Sequence, residues 1–344
     1  MTNKVLVTGG TGFLGMQILL QLLKKGYDVR TTVRSLKSKD KVIETLKKNG
    51  LSTVDQLSFI EADLSKDDNW LAAMEDRDYV FSVASPVFFT IPEDEKEVIR
   101  PAVEGIIRIL KAAKQAKVKR VVMTSNFGAV GFSNKNRQTI TTEKDWTDEH
   151  EAGLSAYEKS KLLAEKAAWN FIEREGDGLE FATINPVAIF GPSLDSHISG
   201  SFDLLKNLMN GSMKRIPNIP LNVVDVRDVA DLHIRAMFTP EANHQRFIAT
   251  DDGEISLQEI AELIRSERPE VAGKISKQTL PDWMVKTGAL FNKEAREGKL
   301  LLEMNRRVSN QKAKEVLGWK PLSTKEQVVL ESVDSMVKYG LWDK

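Results

Sequence analysis

The hydrophobic positions of the chain switch back and forth between two periods. Residues 4–8, KVLVT, form a short β-rich apolar run; GGTGFLG follows, and apolar residues then recur at helical spacing up to Gly26. Further strands are predicted at 27–34 (YDVRTTVR), 57–63 (LSFIEAD) and 78–85 (DYVFSVAS), the last nearly all apolar and therefore buried on both faces. A long amphipathic helix is predicted at 95–116, a strand at 119–125 (KRVVMTS), a helix at 155–175 and a strand at 179–185 (LEFATIN). Such alternation predicts parallel pairing, hence an α/β fold with a Rossmann-type doubly wound sheet. Ligands of these sheets lie outside the carboxyl ends of the strands, where Gly12, Ser85, Ser125 and Asn185 all fall.

Past NPVAIFGP (185–192) the clean alternation fades. Helical patterns at 199–210 and 227–239 surround a short strand, LNVVDV, and a Lys/Glu-rich helical region runs on to the end. The expected organisation is a Rossmann domain over 1–186 and a smaller, mainly helical lobe over 187–344. The two interleave, with part of 219–250 returning to the first.

The glycine turn gives the first chemistry. Gly9, Gly12 and Gly15 stand between strand and helix, where a dinucleotide fold needs a tight turn, close backbone approach to a pyrophosphate and close helix–strand packing. Thr11, Phe13 and Leu14 complete that candidate pyrophosphate site. The second strand ends in Arg34 with no carboxylate at its tip. An acidic residue there would hold the ribose hydroxyls of NAD, whereas a guanidinium fits the 2′-phosphate of NADPH. NADPH is therefore the expected cofactor, with Arg34 as the main phosphate contact and Lys41 as a further one, although Lys37, Lys39 and Lys41 also fit a solvated helix. Asp63 and Leu64 at the third strand are placed near the adenine. Ala84, Ser85, Thr124, Pro186 and Val187, at later strand ends, are the remaining cofactor candidates.

Composition narrows the classes. The 344 residues are 41% hydrophobic and carry 49 Lys+Arg against 49 Asp+Glu. A chain with no net charge has no field suited to nucleic acid or anionic membranes. There is no cysteine, which removes disulfides, thiolate nucleophiles and cysteine-bound metals, and suits a reducing compartment such as the cytoplasm. His150, His197, His233 and His244 lack metal-ligand spacing and are expected at surface or loop positions, so no metal is expected. The N-terminus shows no leader pattern, and no apolar stretch reaches bilayer length.

LSAYEKSK (154–161) carries the second chemistry. Ser155 and Glu158 have capping-box spacing, which puts Tyr157 in the first turn of a helix and Lys161 one turn later on the same face. Leu162, Leu163, Ala164, Ala167, Ala168 and Phe171 supply its buried face. A phenol is a poor acid at neutral pH unless a neighbouring cation stabilises its anion. Tyr-x-x-x-Lys alone is an ordinary helix start; behind a complete dinucleotide-binding unit it reads as a proton-donor pair.

TGGTGFLG, YEKSK, NPVAIFGP, DVRDVA (225–230) and LGWKP (317–321) together resemble an extended short-chain dehydrogenase/reductase. Within that family VASPVFF (83–89), the Arg34 strand end and SAYEKSKLLAEKAAW most resemble the group of dihydroflavonol 4-reductase, cinnamoyl-CoA reductase and methylglyoxal/isovaleraldehyde reductase. The resemblance implies an NADPH-dependent reductase of aldehydes and ketones, with Tyr157 as proton donor and Lys161 holding the nicotinamide ribose. The family usually has a T-S-S triplet after the fifth strand, and here Thr124 and Ser125 are followed by Asn126. Either Ser125 or Asn126 then polarises the carbonyl. Phe88, Phe89, Phe127, Phe132 and Leu154 are expected to form an apolar pocket for a small carbonyl substrate, on a monomer or homodimer. The alternatives are a nucleotide-sugar epimerase or dehydratase on the same fold, and a non-enzymatic NADP(H)-sensing protein.

Overall fold

A computed structural model of the chain describes residues 3–86 and 94–343. Strand β1 (Lys4–Val7) is followed by α1 (Phe13–Lys24), β2 (Asp28–Val33), α2 (Lys39–Lys48), β3 (Leu57–Glu61), the short α3 (Trp70–Met74) and β4 (Tyr79–Ser82). Helix α4 (Glu95–Gln115), β5 (Arg120–Thr124), α5 (Ala156–Glu175) and β6 (Glu180–Pro186) continue the alternation. After α6 (Phe202–Met209) and α7 (Val226–Phe238), strand β7 (Gln245–Ala249) returns to the sheet. The order across the sheet is β7-β6-β5-β4-β1-β2-β3, and every pair is parallel. The expected doubly wound α/β sheet is therefore present, with one strand more than the six read from the pattern.

Alternation along β1 shows how the two helical layers are separated. Val5 and Val7 join a core with α1 and α7, whereas Leu6 joins a second core with α4 and α5. Apolar residues on both faces of the central strands are what a sheet covered on both sides requires. Ten residues of α1 are buried, because it packs on the sheet beneath α7. Pro101 lies inside α4, the one described helix interior that contains a proline.

Beyond β6 the chain forms three small ladders. Ala188–Phe190 pairs in parallel with Val223–Asp225, Pro220–Leu221 pairs antiparallel with Ile255–Ser256, and Ile216–Pro217 pairs in parallel with Thr279–Leu280. Helices α8 (Leu257–Glu267), α9 (Asp282–Gly288), α10 (Lys293–Glu303), α11 (Gln311–Leu317) and α12 (Lys325–Lys338) complete it. Two motifs far apart in sequence meet here. The Trp319 indole donates to Asp228 at 3.0 Å, and the Leu322 amide donates to the other Asp228 oxygen at 2.9 Å. At the sheet's other end buried Arg120 opens β5 and donates to the carbonyls of Ala236 (2.6 Å) and Thr239 (2.6 Å). It thereby satisfies free carbonyls at the C-terminus of α7. No helix among the described residues is long and apolar enough to cross a membrane.

Candidate active site

The carboxyl ends of β1, β4, β5 and β6 converge with the N-terminus of α5. At the first of these, Gly9 adopts φ +74°. A Cβ on Gly15 would lie 2.3 Å from the Gly9 carbonyl oxygen, so the turn and helix approach more closely than any side chain allows. Gly12 is the N-cap of α1, and Phe13 and Leu14 are buried beneath it at 9% and 7% exposure. Thr11 is partly exposed. The result is a glycine cradle at a helix N-terminus with room for backbone contact to an anion.

Around the adenosine end, the expected residues divide. Arg34 is exposed at the tip of β2. The Leu36 amide just beyond it donates to the Glu61 carboxylate at 2.6 Å, so an acidic group borders the Arg34 bay. Lys41 points its ammonium at Asp195, 3.3 Å away. Asp63 accepts from the Ser65 amide and hydroxyl, both at 2.8 Å, and these bonds hold its carboxyl below the usual range. Leu64 packs against Gly105.

Toward the reacting end, the Ala84 amide donates to Thr8 Oγ1 at 2.9 Å, which holds the β4 end against the glycine turn. Pro186 ends β6, and the Val187 amide donates to the Ala249 carbonyl at 3.1 Å. The capping box of α5 forms as read. The Glu158 amide donates to Ser155 Oγ at 3.3 Å, and the Ser155 amide donates to the Glu158 carboxylate at 3.1 Å. Tyr157 therefore stands in the first turn and Lys161 one turn on, its ammonium 5.6 Å from the centre of the Tyr157 ring. Lys161 Nζ is also hydrogen-bonded to Ser85 Oγ at 2.9 Å.

Both groups are shifted. Burial pushes Lys161 down to about 8. Burial, and then the Glu158 carboxylate, pushes Tyr157 up to about 12. Yet 47% of the Tyr157 surface is exposed. The side chain is thus half open to solvent, while the protein packed around it disfavours its anion. Glu158 is pushed up to about 7, by burial first and then by Glu297 on α10. The carboxyl beside Tyr157 thus has a second carboxyl as neighbour, so this side of the site is acidic rather than simply apolar.

The two candidate carbonyl donors are held very differently. Ser125 is 2% exposed, and its hydroxyl donates to the Glu165 carboxylate. Glu165, fully buried, also accepts from Arg246 Nε (2.7 Å), Asn185 Nδ2 (2.7 Å) and Trp169 Nε1 (3.2 Å), while Thr183 Oγ1, 3.2 Å from it, lies nearer Asn185 Oδ1 at 2.9 Å. Asn126 is partly exposed, and its Oδ1 accepts from the Gly128 amide at 2.6 Å. Gly128 also lies against Glu158: a Cβ there would come within 2.8 Å of Asn126 Oδ1 and 2.9 Å of Glu158 Cγ. Asn126 is therefore a close neighbour of the first turn of α5.

Several expectations fail on burial. Phe127 and Leu154 are 3% and 8% exposed, so they pack in the core instead of forming an open wall. Phe132 is partly buried, with its ring centre 6.2 Å from that of Phe127. Phe88 and Phe89 lie outside the described residues. His233, expected at the surface, is fully buried in α7. Its Nδ1 lies 2.7 Å from the Val229 carbonyl, so that nitrogen carries the proton and Nε2, 2.7 Å from Thr124 Oγ1, accepts the hydroxyl. Burial pushes it down to about 4 and keeps it neutral. Thr124, a candidate cofactor contact, thus has its hydroxyl proton turned inward. The sequence offered a weak cue to this: His233 lies on the buried stripe of an amphipathic helix.

A model of the 3-beta hydroxysteroid dehydrogenase/isomerase family matches residues 6–251. The chain belongs to that family. The matched residues include this chain's strand–glycine–helix opening and its Tyr157 and Lys161. A ketoreductase of Aspergillus niger is 33% identical over 300 residues, covering 82% of this chain and 87% of the relative. An anthocyanidin reductase of Vitis vinifera is 33% identical over 279 residues, covering 77% and 80%. The crystal structure of yeast methylglyoxal/isovaleraldehyde reductase complexed with NADPH matches with a TM-score of 0.80 at 28% identity, covering 97% of this chain and 98% of that one.

The Glu165 network predicts its own mutational behaviour. Glu165→Ala strands the Arg246 guanidinium, which is 7% exposed. Losing one partner of a buried pair should cost about 3–5 kcal/mol in urea unfolding. Glu165→Gln, which retains an acceptor oxygen, should cost less, and equal midpoints for Glu165→Ala and the parent would rule out a structural role.

Proposed function

We propose that the chain is an NADPH-dependent carbonyl reductase that converts small aldehydes or ketones to alcohols in the cytoplasm. The observation that carries this reading is the Tyr157–Lys161 pair on a capped helix beside a glycine cradle with no room for a side chain. The reductase names of the relatives, and NADPH in the yeast structure's title, support the same choice of reaction and cofactor. Gly9, Gly12 and Gly15 would take the pyrophosphate, Arg34 the 2′-phosphate, and Lys161 with Ser85 the nicotinamide ribose. NADPH supplies the hydride when bound.

The protein's part is protonation and placement. Tyr157, kept neutral by its raised pKa, gives its proton to the carbonyl oxygen as the carbon gains hydride, so the product is the alcohol. Lys161 stabilises the phenolate that remains until solvent returns a proton. Its partner Ser85 is uncharged, so the hydrogen bond orients the ammonium without neutralising it. Arg34 remains the phosphate ligand of choice, and Lys41 can join it only by leaving Asp195. All residues in this scheme come from one chain, so a monomer or a homodimer serves it.

Three measurements test the reading. NADPH oxidation with methylglyoxal and a panel of aliphatic and aromatic aldehydes should fall about 10²- to 10⁴-fold in Tyr157→Phe, the range expected for loss of a general acid. Undiminished turnover in that variant would remove Tyr157 from the chemistry. Arg34→Asp should weaken NADPH binding roughly 10- to 100-fold in a fluorescence titration while leaving NADH within about threefold, because one charge-assisted phosphate contact is lost. Parallel loss of both cofactors would place the 2′-phosphate elsewhere. Finally, kcat/KM for NADPH reports the free enzyme. It should hold steady below about 8 and decline as pH rises through that value, since the depressed Lys161 pKa means the ammonium is lost there. A profile flat from about pH 6 to 10 would contradict the assignment.

A further inference from the structure

We infer that Asn126 is the catalytic donor that polarises the substrate carbonyl, and that Ser125 has been withdrawn from that role by the Glu165 carboxylate. This rests on the reductase reading above and assigns one more residue to the same site.

Three observations carry it. First, a hydroxyl has one proton to give, and Ser125 gives it to Glu165 on the buried side of β5. Its backbone is pinned as well, the Ser125 amide donating to the Ile184 carbonyl at 2.8 Å. Turning the hydroxyl toward a substrate would leave a fully buried carboxylate short of a donor, a change that costs rather than gains. Second, the orientation of the Asn126 amide is decided by its partner. The Gly128 amide can only donate, so the side-chain atom 2.6 Å away is the oxygen and the other end is the NH2 group. That NH2 group donates to no protein acceptor among the described residues, and Asn126 is partly exposed. Third, the loop that presents it is fixed from behind. Asn185 Nδ2 donates to the Asn126 carbonyl at 3.3 Å and to Glu165 at 2.7 Å, while the Ala129 amide donates to the same carbonyl at 3.0 Å. Gly128 seats the loop against Glu158, the residue after Tyr157.

The pieces form a relay of position. Arg246 holds Glu165, Glu165 holds Ser125 and Asn185, and Asn185 holds the backbone of Asn126. The amide at its end is neutral at every working pH and cannot pass a proton on. It can stabilise the developing oxyanion but not protonate it, so the proton comes from Tyr157 alone. A preorganised amide donor of this kind supplies about 10²- to 10³-fold in kcat.

The test uses the full chain with NADPH and methylglyoxal as the carbonyl probe. Asn126→Asp and Asn126→Ala are read together: Asp keeps the acceptor oxygen for the Gly128 amide and removes the NH2 donor but adds a negative charge, whereas Ala removes both groups and adds no charge. Asn126→Asp and Asn126→Ala should both lose about 10²-fold or more in kcat, with KM for NADPH and its binding constant within about threefold of the parent. Ser125→Ala should keep kcat within about threefold, although it loses stability. Parent-like kcat in Asn126→Asp, or a loss of about 10²-fold in Ser125→Ala with Asn126→Ala unaffected, would overturn the assignment. Tyr157→Phe run alongside separates the two levels. If that variant alone is inactive, the reductase reading stands and the donor assignment falls; if it is fully active, the reductase mechanism itself falls.

Discussion

The Glu165 carboxylate is the point on which the reacting end of this molecule depends. It sits in the middle of α5, two turns beyond Tyr157, and accepts from groups on the β5 end, on β6, on β7 and on its own helix. A charge with no exposure at all is tolerated only where its lone pairs are filled and a counter-charge is present. Arg246 is that counter-charge, and it also donates to the carbonyls of Glu143 and Asp145, both at 2.8 Å, while its guanidinium stacks 3.7 Å from the Trp146 ring centre. One ion pair therefore joins α5, three adjacent strands and the loop before α5. Such pairs add little net stability over an apolar core but are strongly directional. Here direction is the useful property, because a helix held by packing alone could slide along the sheet and carry Tyr157 with it.

The cofactor end is built by the opposite means. The glycine turn is specified by the absence of side chains, and the closeness of Gly15 to Gly9 leaves no alternative residue that preserves the geometry. Backbone amides at a helix N-terminus are what this turn offers to an anion, with no titratable side chain in the turn itself. The two halves meet at β4, where the Thr8 hydroxyl accepts from the Val83 and Ala84 amides at 2.9 Å each and Ser85 reaches Lys161. Thr8 thereby ties the first turn to the segment whose Ser85 meets Lys161.

How far this could be read from the chain follows from the range of each interaction. Local signals were legible. The glycine spacing, the capping box of α5 and the two periods of hydrophobicity gave the doubly wound sheet and the facing of Tyr157 and Lys161. Glu165 was not legible, since a glutamate between Ala164 and Lys166 in an amphipathic helix looks like any solvated position, and its partner Arg246 lies 81 residues away. Strand β7 was missed as a separate element for a related reason. QRFIA is short, follows His244 in a left-handed turn, and is made a strand by pairing with β6. His233 was misplaced because nothing in the sequence announces that Thr124 will lie opposite it. The substitution at Asn126 was visible at once, but its meaning depends on where Ser125 points, which is a tertiary fact.

The resting electrostatics accord with the proposal that Tyr157 donates a proton and does not abstract one. Glu158 adds negative charge next to the phenol and so disfavours its anion. Lys161 would oppose this, yet its own burial already weakens its hold on a proton. With Glu158 on one side and a partly desolvated ammonium on the other, the phenol of the free enzyme stays neutral, as the proposed role of an acid requires. Oxidation of an alcohol would need the phenolate first. A nearby positive charge that arrives only with the oxidised cofactor would lower that cost, so in the proposed mechanism the direction of proton transfer would follow the charge of the nicotinamide ring and not a fixed property of Tyr157.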